Sequence, residues 1–334
     1  LPAKPKIFHG RDSELKEIVR MLSQGAPRIA ILGPGGMGKT SLAKAALHHP
    51  EITAKYDHRF FVPCDSAATS IDVAALIGAH IDLKPGKDLT KPVIQYLSGK
   101  PPCLLVLDNL ETTWEPLASR SAVEELLSLL TDIKHLVLII TMRGAERPAK
   151  VHWTQPFLPP LKPLPADAAR QMFTDIADDF HEPKEIDQLL QLTDNMPLAV
   201  DLVAHLVDYD SCASVLARWE TEKTSLLSAG HDRRSNLDAS IAISLSSPRL
   251  MAQPGAKDLL SLLSILPDGL SDIELLQSKL PIQAVLACKT VLLSTSLAFM
   301  DDKKRLKSLV PIREHMQYFH PVEASLVQPL QKHF

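Results

Sequence analysis

From residue 28 to residue 143 the chain alternates uninterrupted apolar runs with segments of helical periodicity, and this alternation constrains the fold most strongly. The apolar runs are residues 28–32, 59–62, 103–108 and 135–143. Strands that are apolar at every position are buried on both faces, as in parallel sheets with helices covering both sides. The pattern therefore predicts an α/β fold with a parallel sheet. The intervening segments predict helices over 39–48, ending before Pro50, over 70–81 with Ser70 as the N-cap, from Lys91, and over 121–130.

A glycine-rich loop, GPGGMGKT at residues 33–40, joins the first predicted strand to the first predicted helix. It matches the pattern G-x-x-x-x-G-K-[ST] in the strand–loop–helix context that this motif requires. Glycines allow the backbone to turn its N–H groups toward phosphate oxygens, and the positive end of the following helix adds to the attraction. The loop predicts a nucleotide phosphate site formed by Gly33, Gly35, Gly36, Met37, Gly38, Lys39, Thr40 and Ser41.

Two residues that lie later in the sequence than this helix, Asp108 and Arg143, complete the predicted site. Asp108 ends a buried strand and is expected to hold Mg²⁺ together with Thr40, while Lys39 reaches the β- and γ-phosphates. Arg143 ends the neighbouring strand beside the γ-phosphate, so Lys39, Asp108 and Arg143 are the predicted catalytic residues. Asn109 stands where many ATPases carry a second acid, and an amide cannot accept a proton from water. Slow hydrolysis is expected, with Glu111 as a possible substitute base.

The second half of the chain has a different pattern. Five prolines between Pro156 and Pro165 exclude a regular helix and predict a last edge strand followed by a stiff linker. Helices are predicted from residue 166 to 227 and again from 237, after a break at 228–236. Two strand-like pieces flanking residues 301–304 predict a hairpin, and three helices followed by a hairpin are typical of a winged-helix domain. The predicted domains are a P-loop nucleotide-binding domain (1–157), an all-α helical domain (158–232) and a winged-helix domain (233–334).

The composition limits the class of protein. The chain has 334 residues, of which 45% are apolar and 22% are charged, and this length favours two or three domains. The net charge of −3 argues against binding nucleic acid over the whole surface. Four separated cysteines and no apolar run of about 18 residues favour a cytoplasmic protein with reduced thiols. The chain begins Leu-Pro-Ala, so we expect a fragment that lacks segments at both ends.

Five motifs, in order, resemble those of the STAND-class NTPases, and in particular the NB-ARC group, which includes plant resistance receptors, the animal apoptosome scaffold and fungal incompatibility-type proteins. These are IFHGRDSELKEI, GPGGMGKTSLA, LLVLDN, IITMRG and NMPLAV. The resemblance implies that the backbone at Ile7 and Phe8 meets adenine and that Arg11 secures the nucleotide. It also implies that Arg143 senses the γ-phosphate and that Pro197 packs on the adenine.

Three positions depart from the family pattern. Asn195 replaces a glycine before Met196, and Asn109 replaces the second acid. The family's Met-His-Asp triplet, whose histidine touches the ADP phosphate, is absent from the corresponding segment, KSLVPIREHM. His315, a few residues later, is the residue that could approach the site in its place.

The resemblance implies a switch that is closed with ADP, opens on exchange for ATP with Mg²⁺, and then self-associates, in signalling for innate immunity or programmed cell death. Flanking effector and sensor domains are expected outside this sequence. One alternative is a remodelling ATPase of the AAA+ type, which would turn over ATP rapidly. A second is a DNA-binding regulator whose winged helix carries a basic cluster. That cluster consists of Lys303, Lys304, Arg305, Lys307 and Arg313.

Overall fold

A four-stranded parallel sheet forms the centre of the first part of the chain in the computed structural model. Its strands, β1 to β4 in chain order, are Arg28–Gly33, His58–Pro63, Cys103–Asp108 and Leu136–Arg143. They lie in the spatial order β1-β4-β3-β2, and each neighbouring pair is parallel. Strands β3 and β4 are buried along their whole length. The predicted parallel sheet is therefore confirmed.

Helices connect these strands and supply much of the core. They are α1 Asp12–Leu22, α2 Lys39–Leu47, α3 Pro50–Lys55, α4 Ser70–His80, α5 Thr90–Ser98, α6 Glu111–Trp114 and α7 Leu117–Thr131. Leu107 and Ile140 of the sheet share one buried cluster with Val73 and Ile77 of α4 and Leu127 of α7. Burying these side chains is the main source of stability for such a layer.

Two predicted helix ends need correction. Pro50 ends the first predicted helix but also begins α3, because a proline at the first helical position gives up no intrahelical hydrogen bond. Ser70 is the first residue of α4 and not its N-cap. The N-cap is Thr69, whose side chain accepts from the Asp72 N–H while Asp72 accepts from the Thr69 N–H.

The predicted edge strand between residues 154 and 165 is wrong. The segment runs beside β1, with the Thr154 N–H donating to the Arg28 carbonyl (3.0 Å) and the Leu161 N–H donating to the Leu32 carbonyl (2.8 Å). No strand forms over these residues. Five of the twelve residues are prolines, which have no N–H to donate, so a continuous ladder is impossible.

The later part of the chain is mainly helical, as predicted. Its helices are α8 Ala166–Ala177, α9 Pro183–Thr193, α10 Pro197–Tyr209, α11 Cys212–Glu222, a 3₁₀ helix Lys223–Leu227, α12 Leu237–Leu245, α13 Pro248–Met251, α14 Pro254–Ser264, α15 Asp272–Gln277, α16 Val285–Ser294, α17 Val310–Phe319 and α18 Ala324–His333. Five helices, α12 to α16, lie between residue 237 and the hairpin, two more than the sequence predicted.

A small antiparallel sheet contains the predicted hairpin. Its strands are β5 Leu270–Ser271, β6 Phe299–Met300 and β7 Arg305–Lys307, in the spatial order β5-β7-β6. The β6–β7 hairpin is confirmed. Its turn is closed by Asp301, whose carboxylate accepts from the Lys303 and Arg305 N–H groups at 3.0 and 2.8 Å.

The structure describes residues 1–178, 180–228 and 236–333, which divide into two units. The first unit contains Leu1–Gly33 and Gly38–Leu161, and the second contains Pro34–Met37 and the chain from Lys162 onward. The predicted boundary at residue 232 lies outside the described residues. All four cysteines are free and buried. None of the helices in these ranges is long and apolar enough to cross a membrane.

Candidate functional site

The glycine-rich loop leaves β1 at Gly33 and enters α2 through Gly38, which adopts a left-handed conformation. Gly33 has φ +142°, and a Cβ there would lie 3.0 Å from the backbone nitrogen and 3.1 Å from the carbonyl oxygen of Leu161. Because both contacts are backbone atoms, only glycine fits at this position. The first glycine of the motif is therefore required by the backbone packing at this position.

Lys39, the first residue of α2, is buried, with 7% of its surface exposed. Its Nζ donates to the Gly33 carbonyl at 3.0 Å, so the side chain reaches back across the base of the loop. An ammonium group and a helix N-terminus thus lie beside the same loop. Both favour a bound anion.

Asp108, at the end of β3, is fully buried and accepts hydrogen bonds from three side chains. The donors are Thr40 Oγ1 at 2.8 Å, Thr141 Oγ1 at 2.6 Å and Asn109 Nδ2 at 3.0 Å. Thr40 and Asp108 are 68 positions apart in sequence, and the fold brings them into contact as predicted. A carboxylate and a hydroxyl supply the oxygen ligands that Mg²⁺ prefers, so these residues fit the expected metal.

Asn109 follows Asp108 in a left-handed conformation, with φ +59°. Its backbone N–H donates to Thr141 Oγ1 at 3.0 Å, while its side-chain amide donates to Asp108. The residue in the place of the second acid thus orients Asp108. It carries no group that could act as a base.

Arg143 ends β4 beside the loop, because the sheet register pairs it with Gly33. Its Nε lies 3.4 Å from Glu111 Oε1, and both side chains are buried, with 10% and 6% exposed. Neither carboxylate oxygen of Glu111 has a hydrogen-bond partner within the described ranges. The sequence suggested Glu111 only as a substitute base. Its pairing with Arg143 has no local sequence signal, since the two residues belong to different elements.

The remaining predicted contacts lie in two different units. Ile7 and Phe8 are half-buried residues before α1, and Arg11 is the buried N-cap residue of α1. Burial lowers the pKa of Arg11, while the Glu14 carboxylate, 3.1 Å away, raises it. Pro197 begins α10 in the second unit, so its predicted contact with adenine remains a prediction.

Within the second unit, the tip of the loop packs on the start of α10. The Leu198 N–H donates to the Gly36 carbonyl at 3.1 Å. A Cβ at Gly36 would lie 2.9 Å from the Leu198 Cβ, and φ there is +76°, so this contact also requires glycine. A small cleft beside the tip is lined by residues that include Pro34, Gly35 and Met196. The cleft has room for little more than a water molecule and is therefore too small for a nucleoside.

His315, the suggested replacement for the family histidine, is paired with another residue. Its Nδ1 lies 2.6 Å from Asp238 Oδ1, a contact that joins α17 to α12; His315 is buried and Asp238 is partly buried. Burial raises the pKa of Asp238, but the hydrogen bond with His315 and the nearby Thr224 and Ser228 hydroxyls lower it by more, so the pKa lies below its ordinary value. His315 is thus a structural partner of Asp238 and does not line the cleft beside the loop.

Comparison with a protein-family model assigns the chain to a class of nucleotide-binding proteins, in agreement with the arrangement of Lys39, Thr40 and Asp108. The family model nSTAND1, described as Novel STAND NTPase 1, matches residues 2–179, more than half of the chain. The chain belongs to this family. The predicted assignment to the STAND-class P-loop NTPases is thereby confirmed. Membership of this class supports the prediction that the chain contains a nucleotide-binding module.

Two protein sequences resemble parts of the chain. An uncharacterised protein of Mycobacterium tuberculosis is 27% identical over 220 residues, covering 63% of this chain and 53% of that protein. A disease resistance protein of Solanum bulbocastanum is 32% identical over 124 residues, covering 32% of this chain and 12% of that protein. The chain thus spans about half the length of the mycobacterial relative.

The fold resembles that of a Walker-type ATPase of Pyrococcus abyssi, with a TM-score of 0.64 and 13% identity. The match covers 96% of this chain and 99% of the archaeal protein. At this identity the likeness supports the P-loop ATPase fold alone. It extends beyond the first sheet into the helical part of the chain.

Proposed function

We propose that the chain is an ATP- and ADP-binding switch and oligomerisation module of a STAND signalling protein. One observation carries the proposal: Lys39, Thr40, Asp108 and Arg143 converge at the carboxyl edge of the first sheet, around the loop that leaves Gly33. This is the edge at which ligands bind in open parallel sheets.

The residues present fit a magnesium nucleotide. The loop amides and Lys39 would hold the phosphates, Thr40 and Asp108 would hold the ion, and Arg143 would face a γ-phosphate. The ion would neutralise phosphate charge when bound. Ile7, Phe8, Arg11 and Pro197 are proposed to hold the rest of the nucleotide by resemblance alone.

Hydrolysis is proposed to be slow. The Asn109 amide is committed to Asp108 at 3.0 Å and cannot take a proton from water. Glu111, the nearest alternative acid in sequence, is paired with Arg143 at 3.4 Å.

A helical domain (158–232) and a winged-helix domain (233–334) are proposed for the later part of the chain, which belongs to the second unit from Lys162 onward. The order β5, α15, α16, β6, β7 supports the winged helix, since two helices lie between the first strand and the hairpin. In the proposed cycle, the ADP form is closed and the ATP form opens and self-associates. We further propose a cytoplasmic location and flanking effector and sensor domains that link the switch to immunity or cell death.

The DNA-binding alternative is less well supported, because three of its five basic residues have partners within the second unit. Arg305 pairs with Glu274 at 3.0 Å and Lys307 with Asp301 at 3.2 Å. Arg313 donates to the Ser264 carbonyl at 3.3 Å. Lys303 and Lys304 are exposed, but two lysines form only a weak electrostatic footprint.

The deciding experiment is to identify the nucleotide carried by the purified protein. The protein is denatured and removed, and the released nucleotide is identified by chromatography. Near-stoichiometric ADP, together with self-association on exchange for a non-hydrolysable ATP analogue, supports the switch. An empty site that turns over added ATP rapidly supports the remodelling ATPase instead. A protein that binds neither nucleotide contradicts both.

A further inference from the structure

Arg143, at the end of β4, and Glu111, the first residue of α6, form a buried ion pair. Arg143 Nε lies 3.4 Å from Glu111 Oε1, and about nine-tenths of each side chain is buried. The sheet register places Arg143 beside Gly33, where the loop begins. Any group that approaches the loop therefore meets an arginine that already has a negatively charged partner.

The pair matters to Glu111 because its carboxylate has little else to stabilise it. Both oxygens are buried and accept no hydrogen bond within the described ranges, so Arg143 supplies the compensating charge. Separating one member of a buried ion pair leaves the other charge uncompensated, at a large cost in free energy. Removing Arg143 from Glu111 is thus strongly unfavourable unless a ligand offsets that cost.

We propose that Glu111 competes with the γ-phosphate for Arg143 and thereby biases the site toward ADP. The proposal rests on the proposed nucleotide switch and adds a residue that sets its preference. ATP must draw Arg143 away from Glu111 and place negative charge near a buried carboxylate. ADP has no γ-phosphate and leaves the pair intact. Glu111 is therefore a positioning residue that acts through Arg143.

The test is Glu111→Gln, which keeps the shape of the side chain and removes its charge. Affinities for ADP and for a non-hydrolysable ATP analogue are measured by calorimetry in Mg²⁺. The expected result is a shift of at least tenfold in the affinity ratio toward the ATP analogue, with the ADP affinity within about threefold of the wild type. Glu125→Gln, an exposed residue paired with Lys150, is the matched control and should leave the ratio unchanged.

The outcomes separate the inference from the function on which it rests. If the wild type binds neither nucleotide, the proposed function fails. If the wild type and Glu111→Gln bind both with the same affinity ratio, the function stands and the inference is overturned. A shift toward ADP also overturns it, because Glu111 would then orient Arg143 for the γ-phosphate.

A second measurement covers the case in which Glu111→Gln does not fold. The nitrogen resonance of Arg143 Nε is followed in the wild-type protein by NMR with labelled arginine, and Arg143→Lys assigns the signal. The expected result is one signal position without nucleotide and with ADP, and a different position with the ATP analogue. An identical position in all three states overturns the inference.

Discussion

At the scale of single residues, Asp108 shows how a buried charge is maintained. Three side-chain donors surround its carboxylate, at 2.6 to 3.0 Å, and two of them come from elements distant in sequence. A buried carboxylate without such donors would cost several kcal/mol. Asp108 is therefore held in place before any metal arrives, and its donors are as important to the site as the carboxylate.

Thr141 is the donor with the shortest hydrogen bond, and it also accepts from the Asn109 N–H. Thr141→Val keeps the shape but leaves both partners unsatisfied, so we expect a loss of about 1–3 kcal/mol in the free energy of unfolding. Urea-induced unfolding measures the change. Thr131→Val, which removes a half-buried hydrogen bond to the Ser128 carbonyl, is the control and should cost less. Equal losses of unfolding free energy would mean that the hydrogen bond to Asp108 stabilises the fold no more than the half-buried bond of Thr131.

Lys39 carries the clearest prediction for binding. Lys39→Ala removes the ammonium beside the loop, and we expect at least a hundredfold loss of affinity for ADP and for an ATP analogue, measured by calorimetry. The circular dichroism spectrum should not change. Lys16→Ala removes an exposed lysine of α1 and should bind like the wild type. Unchanged affinity in Lys39→Ala would place the phosphates elsewhere.

At the scale of secondary structure, the start of α4 shows how local chemistry sets a boundary. Thr69 and Asp72 satisfy each other's backbone N–H groups in a capping box. Loss of such a cap costs about 1 kcal/mol. We therefore expect Thr69→Ala to lower the free energy of unfolding by about 1 kcal/mol, measured in urea.

Ser70→Ala is the matched comparison, because the sequence pattern alone favours Ser70 as the cap. Ser70 is already helical, and alanine is the better helix former, so little or no loss is expected. A larger loss in Ser70→Ala than in Thr69→Ala would contradict the structural assignment of the cap.

At the scale of the whole molecule, the stability of the second unit is expected to depend on pH through the contact between Asp238 and His315. The pKa of Asp238 is lowered, because hydrogen bonds to its charged form outweigh burial. A carboxyl with a lowered pKa stabilises the folded state above its unfolded pKa of about 3.9, and that stability is lost as the pH falls through the folded pKa.

Asp238→Asn should therefore lower the free energy of unfolding by about 1–3 kcal/mol near pH 7, because a hydrogen bond to a charged group is lost. The difference from the wild type should shrink as the pH falls from about 3.9, the unfolded pKa, through the lower folded pKa, below which Asp238 is protonated in both states. Urea-induced unfolding at several pH values measures this. Asp187→Asn, which breaks an exposed pair with Arg170, is the control and should change little. A difference that does not vary with pH would show that the charge of Asp238 is unimportant.

Local pattern predicted much of the fold and part of the site. The run of apolar residues at 103–108 is short for a helix and is typical of a strand buried on both faces, and the glycine loop before Lys39 matches a motif of known strand–loop–helix context. The prediction of an edge strand at 154–165 was wrong because prolines separate the apolar residues there, and a proline has no backbone N–H to donate to a β-ladder. The prediction of Ser70 as the N-cap was wrong because Thr69 and Ser70 are adjacent hydroxyl residues, and the local sequence does not distinguish between them.

The sequence by itself determined the phosphate loop, the strands that end in Asp108 and Arg143, and the helical character of the later part of the chain. Only the tertiary structure decided the strand order β1-β4-β3-β2, the donors around Asp108, and the pairs Arg143–Glu111 and Asp238–His315. The reason is physical. Periodicity and turn chemistry act over a few neighbouring residues, whereas strand neighbours and buried charge pairs are set by how distant segments pack.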